Sequence, residues 1–189
     1  MIKPMHLSYL LHLFAGFFLL ASSLALADIQ TPGRSGTQAE LRVEHVRQTV
    51  LDILSYTRWP VEPPVLRLCV LGPTEYADSL FHLRQQANGR RVTVSRYSVG
   101  DPLIPGHCDV IYLGDVTEAE RLALFAHLQG HAVLSISEKD GPCSTSSVFC
   151  LQVGDERVRF NVNLDALALS GVKVHPAVLK LGRADEARP

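Results

Sequence analysis

The chain has no excess of charge of either sign. Its 18 basic and 19 acidic residues leave a net charge of -1. Such a balance gives no electrostatic footprint for nucleic acid. Catalytic motifs are missing as well: G-x-S-x-G, H-E-x-x-H and the phosphate-binding P-loop do not occur. Gly72 sits between an expected strand and an expected helix, where phosphate loops occur. It lacks the glycines and the lysine that cradle a phosphate. No C-x-x-C is present, which argues against a thiol oxidoreductase. Beyond residue 27 no apolar run approaches the ~20 residues of a membrane span. There is no internal repeat, and no linker divides the chain.

What is present begins at the N-terminus. Lys3 is the only fixed charge in residues 1–27. It precedes an apolar run from Leu13 to Leu20 and the stretch "ASSLALA". Ala25 and Ala27 make a small-x-small cleavage site, with Asp28 as the first mature residue. The rival is a membrane anchor over residues 7–27. The serines, His12 and the A-x-A end favour cleavage. Residues 1–27 therefore read as a cleaved signal peptide and the mature chain as exported. The mature part has 17 basic and 19 acidic residues and a net charge near -2. Residues 28–37, "DIQTPGRSGT", read as a disordered leader, 38–184 as one domain and 185–189 as a frayed tail.

Thr37 and Glu40 form a capping box that opens a helix running to about Tyr56. Val43, Val46, Val50, Ile53 and Leu54 are its apolar stripe. "RWPVEPP" stops it. Strands are expected at 66–71, 91–97, 108–113 and 132–137. Helices are expected at 73–87, with Ala77, Leu80, Phe81 and Leu83 inward, and from Thr117 to Gly130. "GDPLIPG" reads as a loop. The order β-α-β-β-α-β suits a mainly parallel sheet. A hairpin follows, with Val158, Phe160 and Val162 facing in and Arg157, Arg159 and Asn161 facing out. "LDALALS" and "HPAVLKLGR" read as two short helices. The fold class is α/β: one domain, a mixed, mostly parallel sheet flanked by helices, with a C-terminal β-hairpin and two short helices.

Six histidines lie in the mature part: His45, His82, His107, His127, His131 and His175. None has the converging partners a metal site needs. The four cysteines are an even count in an oxidising compartment, which favours two disulfides among three connectivities. Cys69 lies in one expected strand and Cys108 opens another, and parallel neighbours come within disulfide range. Cys143 and Cys150 flank the turn into the hairpin. The expected pairs are therefore Cys69–Cys108 and Cys143–Cys150. They serve as staples, with a redox role as the alternative. Zinc is disfavoured, because neither pair has the short spacing of a zinc knuckle. Trp59 either anchors the end of the first helix to the sheet or, with Arg58, contacts a ligand.

"DILSYTRWP" (52–60), "LRLCVLG" (66–72), "CDVIYLG" (108–114) and "VRFNVNLDALALSGVKVHPAVLKLGR" (158–183) resemble the YfiR-like family. The resemblance extends from Val43 to Arg183 and includes the positions of the four cysteines. It implies a non-catalytic periplasmic repressor without metal or cofactor. Its partners would be the periplasmic domain of an inner-membrane diguanylate cyclase, held inactive, and an outer-membrane OmpA/Pal-like lipoprotein that relieves the repression. A homodimer is also implied. Many relatives carry Ser where this chain has His175, which implies a weaker cap on the last helix. The alternative is a periplasmic small-molecule sensor. In it Arg58, Trp59 and His175, with Phe149 as a further contact, frame a pocket for a small aromatic or amino-acid ligand.

Overall fold

Helix α1 spans Gln38–Ser55. Thr37 and Glu40 exchange side-chain hydrogen bonds with each other's backbone at its start, the reciprocal pair read from the sequence. Val46, Val50, Ile53 and Leu54 are its buried face. The computed structural model describes residues 37–139, 143 and 147–183. The expected signal peptide, almost all of the leader and the tail lie outside the described residues.

The strands are β1 Thr57–Arg58, β2 Val65–Leu71, β3 Arg91–Tyr97, β4 Val110–Leu113, β5 Leu134–Ser137, β6 Phe149–Val153, β7 Val158–Val162 and β8 Lys173–Val174. Six of them form one sheet in the order β3-β2-β4-β5-β6-β7. Every pair in it is parallel except β6–β7, which is the expected hairpin. The register sets Leu68 beside Val110 and Val110 beside Leu134. Alternation then sorts the side chains by face. Leu66, Leu68, Val70, Val110, Tyr112, Leu134 and Ile136 join the α1 stripe in the larger core. Cys69, Leu71, Ile111 and Leu113 join Leu124 and Leu128 in the smaller core on the opposite face. Leu124 comes from α3, Glu118–His127, which opens with the second capping box at Thr117 and Glu120.

Three local expectations change. Residues 73–87 hold no α-helix, only a 3-10 helix at Asp78–His82. Ala77, Leu80 and Leu83 are buried as expected, but they recur every three residues, the 3-10 period. The segment is also held at both ends. The amides of Glu75 and Tyr76, which a helix would leave for its first turn, bond the Glu138 carboxylate at 2.6 and 3.1 Å. Gln85 forms a bridge to Arg91. In "GDPLIPG", Ile104 is buried and starts a single helical turn, α2, Ile104–His107. Residues Pro176–Arg183 form a 3-10 helix. Between them and the hairpin lies α4, Leu164–Leu169, capped by Asn163, whose Oδ1 accepts from Ala166 N at 2.9 Å.

Candidate functional site

In open parallel α/β sheets the usual binding crevice lies beyond the C-terminal ends of the strands, where the connections diverge to opposite sides. Here that place falls between β2 and β4, and the protein fills it with its own backbone. Gly72 has φ +72°. A Cβ on Gly114 would lie 1.9 Å from the carbonyl oxygen of Pro73, and one on Gly72 would lie 2.7 Å from Val116 Cγ1. The two loops therefore rest directly on one another. The loop amides at Glu75 and Tyr76, positioned where a phosphate could be held, receive the internal carboxylate of Glu138 instead. Gly114→Ala drives a methyl into backbone and should cost about 2–3 kcal/mol of stability. Equilibrium unfolding in denaturant checks it, and a loss below 0.5 kcal/mol would show that the loops can part at little cost.

One open groove lies elsewhere. β1 and β8 pair antiparallel, Thr57 with Val174 and Arg58 with Lys173. This two-stranded ribbon has no counterpart in the sequence reading, because a two-residue strand carries no periodicity. It borders a groove of about 560 Å³ lined by Ser55, Tyr56, Arg58, Lys173, Val174, His175 and Pro176. The lining holds Arg58 and Lys173 and no carboxylate. Arg58 Nη1 donates to the carbonyls of Ser55 and Thr57 at 2.9 and 2.8 Å, against the C-terminal end of α1 where a cation is favourable. The His175 amide donates to Tyr56 O at 2.9 Å, and the two rings stand 6.3 Å apart. His175 Nδ1 accepts from Ala177 N at 3.1 Å, so the imidazole itself caps the start of the last helical segment. The groove suits an anionic group carried on an apolar or aromatic body.

Arg58 and His175 thus meet in one groove, and the other two expected contacts lie apart from it. Trp59 is buried, with its indole N–H donating to Asp109 O at 3.2 Å and Arg90 stacked 5.9 Å over its ring. That is the anchoring reading of Trp59, because Asp109 immediately precedes β4. Phe149 has no exposed surface and meets Phe160 edge-on with centroids 5.3 Å apart. It belongs to the core and presents nothing to a ligand. Sequence reasoning missed Lys173, whose place in the groove depends on the β1–β8 pairing.

Both disulfides join the expected cysteines, with Cα atoms 5.7 Å apart for Cys69–Cys108 and 5.5 Å for Cys143–Cys150. Cys108 caps α2 and precedes β4; it is not part of that strand. Cys143 has φ 55° and is the one non-glycine residue with positive φ among the described residues. That conformation is strained for an L residue with a side chain. Asn163 Nδ2 donates to Cys143 O at 3.1 Å. The second disulfide is therefore connected through Asn163 to the N-terminus of α4. Helix α4 exposes Leu164 and Leu169, two of the larger apolar side chains on the surface. Among the described residues no three His, Cys, Asp or Glu side chains converge as a metal site requires, and no helix is long and apolar enough to cross a membrane.

One comparison with known proteins bears on this arrangement. The sequence model of the family described as DUF4154: YfiR/HmsC-like matches residues 44–183, which take in every strand and most of α1.

Proposed function

The chain belongs to the YfiR/HmsC-like family, and on that premise we propose that it represses an inner-membrane diguanylate cyclase by binding the cyclase's periplasmic domain. Family membership supports a periplasmic regulator of diguanylate cyclase activity. The two disulfides agree with a compartment outside the cytoplasm. The family match across nearly the whole described fold is the observation that carries the reading. In it the chain acts as a homodimer, and an outer-membrane OmpA/Pal-like lipoprotein relieves repression by taking the repressor away. A repressor shifts the cyclase between active and inactive states only by its difference in affinity for the two.

The path from Cys143 to α4 supports a redox element in this regulation. Reduction of Cys143–Cys150 lets the Cys143 backbone leave its left-handed conformation. The Asn163 contact then weakens, and the exposed leucines of α4 lose their fixed placement. Repression falls if those leucines contact the cyclase.

Affinity capture tests the reading. The immobilised chain should retain the full-length cyclase from solubilised membranes, and the Cys143→Ala/Cys150→Ala variant should retain several-fold less. Failure of the oxidised chain to retain any cyclase would contradict the reading. Equal retention by the variant would remove the redox element alone. The groove supports a second reading, a sensor for a small aromatic carboxylate. Calorimetry with aromatic amino acids should then give heat that Arg58→Ala abolishes. No heat with the wild-type chain rules that reading out.

A further inference from the structure

β3 is an edge of the six-stranded sheet, bonded to β2 on one side only. Its first residues are covered on the other side. Val92 N donates to Arg84 O, and Gln86 N donates to Arg90 O, both at 2.8 Å. The covering segment then leaves the edge, because Leu83 is buried and the 3-10 helix at Asp78–His82 precedes it. Backbone groups alternate sides along a strand, so those of Val94 and Arg96 point outward as those of Val92 do. Neither amide has a partner on that side among the described residues. The free stretch contains no proline, charge-bearing bulge or covering loop of the kind that blocks an edge.

The surroundings of this edge are basic. Residues 82–107 hold Arg84, Arg90, Arg91 and Arg96 against a single carboxylate, Asp101. Arg90 is paired with Glu62. Arg84 donates to the carbonyls of Phe81 and Leu83, and Arg96 to Gly72 O and Thr74 Oγ1, all neutral acceptors. Arg91 is exposed and has no carboxylate partner among the described residues. Three cations therefore keep their charge beside an open edge, in a chain whose total charge is close to zero. A depression of about 320 Å³ opens on one face of β3, bordered by Thr93, Ser95, Tyr97, His107, Arg67 and Cys69. Arg67 is already held by both oxygens of Asp109. The hydroxyls of Thr93, Ser95 and Tyr97 and the ring of His107 supply the polar groups.

We propose that the open half of β3 binds an acidic, extended segment of a partner protein as an added antiparallel strand. The main-chain groups of Val94 and Arg96 make the ladder, the depression receives an alternate carboxylate side chain, and Arg84, Arg91 and Arg96 provide the attraction. This division of labour is that of strand addition in general: ladder bonds give affinity and pockets for alternate side chains give specificity. A second copy of the chain does not fit the same edge. Pairing β3 with itself would bring the arginines of one copy against those of the other. The surface is separate from the groove at β1 and β8, and the inference holds whether or not the partner is a cyclase.

The probe is an acetylated octapeptide, Glu-Val-Glu-Thr-Glu-Val-Glu-Thr, with its lysine-for-glutamate counterpart as control. Nitrogen-labelled protein is titrated with each and followed by amide shifts and hydrogen exchange. The acidic peptide should shift the amides of Val94 and Arg96 and slow their exchange, and the lysine peptide should not. Arg91→Glu should weaken the acidic peptide about fivefold, the upper range for one exposed charge pair. Added salt should weaken it further. Unchanged Val94 and Arg96 amides would overturn the proposal. So would equal binding of the lysine peptide, or exchange that slows at these amides with protein concentration alone, which would mean a second copy.

Discussion

Replacing Cys69 and Cys108 together with alanine should remove about 4 kcal/mol from the free energy of unfolding. The bond joins residues 39 apart in sequence. On the chain-entropy account, opening a loop of about 40 residues frees the unfolded state by roughly that amount. Both cysteines are also only 2% exposed and lie in the smaller core among Leu71, Ile104, Ile111 and Leu124. Lost sulfur packing therefore adds to the entropic effect. The same change at Cys143 and Cys150, 7 residues apart, should cost roughly 2.5 kcal/mol. Relief of the strained Cys143 backbone reduces even that. Urea titration of both double variants under oxidising conditions gives the comparison. The first staple should contribute more to stability, and the second should matter more for partner binding. A Cys69/Cys108 variant less than 1 kcal/mol below wild type would refute the long-loop account.

Glu138→Ala should cost about as much, 3–4 kcal/mol, although it removes no apolar core. Glu138 is 4% exposed. Its carboxylate accepts from Glu75 N at 2.6 Å, Tyr76 N at 3.1 Å and the Tyr112 hydroxyl at 2.9 Å. Alanine would leave three donors unpaired, the hydroxyl of fully buried Tyr112 among them. Each such donor costs about 1–3 kcal/mol. Glu138→Gln keeps one accepting oxygen but turns an NH₂ group toward donors, so about 2 kcal/mol is expected. Tyr112→Phe removes donor and hydroxyl together and should lose least, near 1 kcal/mol. The order Ala, Gln, Phe separates orphaned donors from lost packing. Thermal or denaturant unfolding of the three variants shows it, and equal losses would contradict it.

The same cluster sets a pH dependence. Burial first, and the Glu138 charge next, push the Tyr112 hydroxyl far above its ordinary pKa. The folded state therefore keeps its proton where the unfolded state releases it. This contribution is complete below about pH 10, the ordinary tyrosine value, and is lost as pH rises beyond it. Tyr112→Phe should flatten that alkaline decline relative to wild type. An unchanged slope between wild type and variant would assign the decline to other groups.

How much of this was legible in the sequence depended on whether a feature was local. Capping boxes at Thr37 and Thr117 need only residues three apart, and both were read correctly. Short apolar runs mark β2, β4 and β5, which are buried on both faces, and alternation marks β3 and the hairpin, where β7 buries Phe160. The parallel order followed from the strand–helix rhythm. Residues 73–87 were misread because a distant residue, Glu138, holds the start of that segment. Nothing near Glu75 in the sequence announces a carboxylate arriving from the end of β5. The groove was half legible. Arg58 and His175 stood out, but their meeting depends on the two-residue ribbon of β1 and β8. Phe149 was misassigned because an aromatic beside a cysteine looks the same in sequence whether it faces outward or into the core. Trp59 was read both ways, and its distance to Asp109 favours the anchor.

As proposed, this protein restrains a diguanylate cyclase from outside the cytoplasm. Cyclic-di-GMP in a strain from which the gene has been cleanly deleted measures it most directly. Cyclic-di-GMP should rise in the deletion strain, and the wild-type gene, supplied in trans, should return it to the starting level. An unchanged cyclic-di-GMP level in the deletion strain would contradict it.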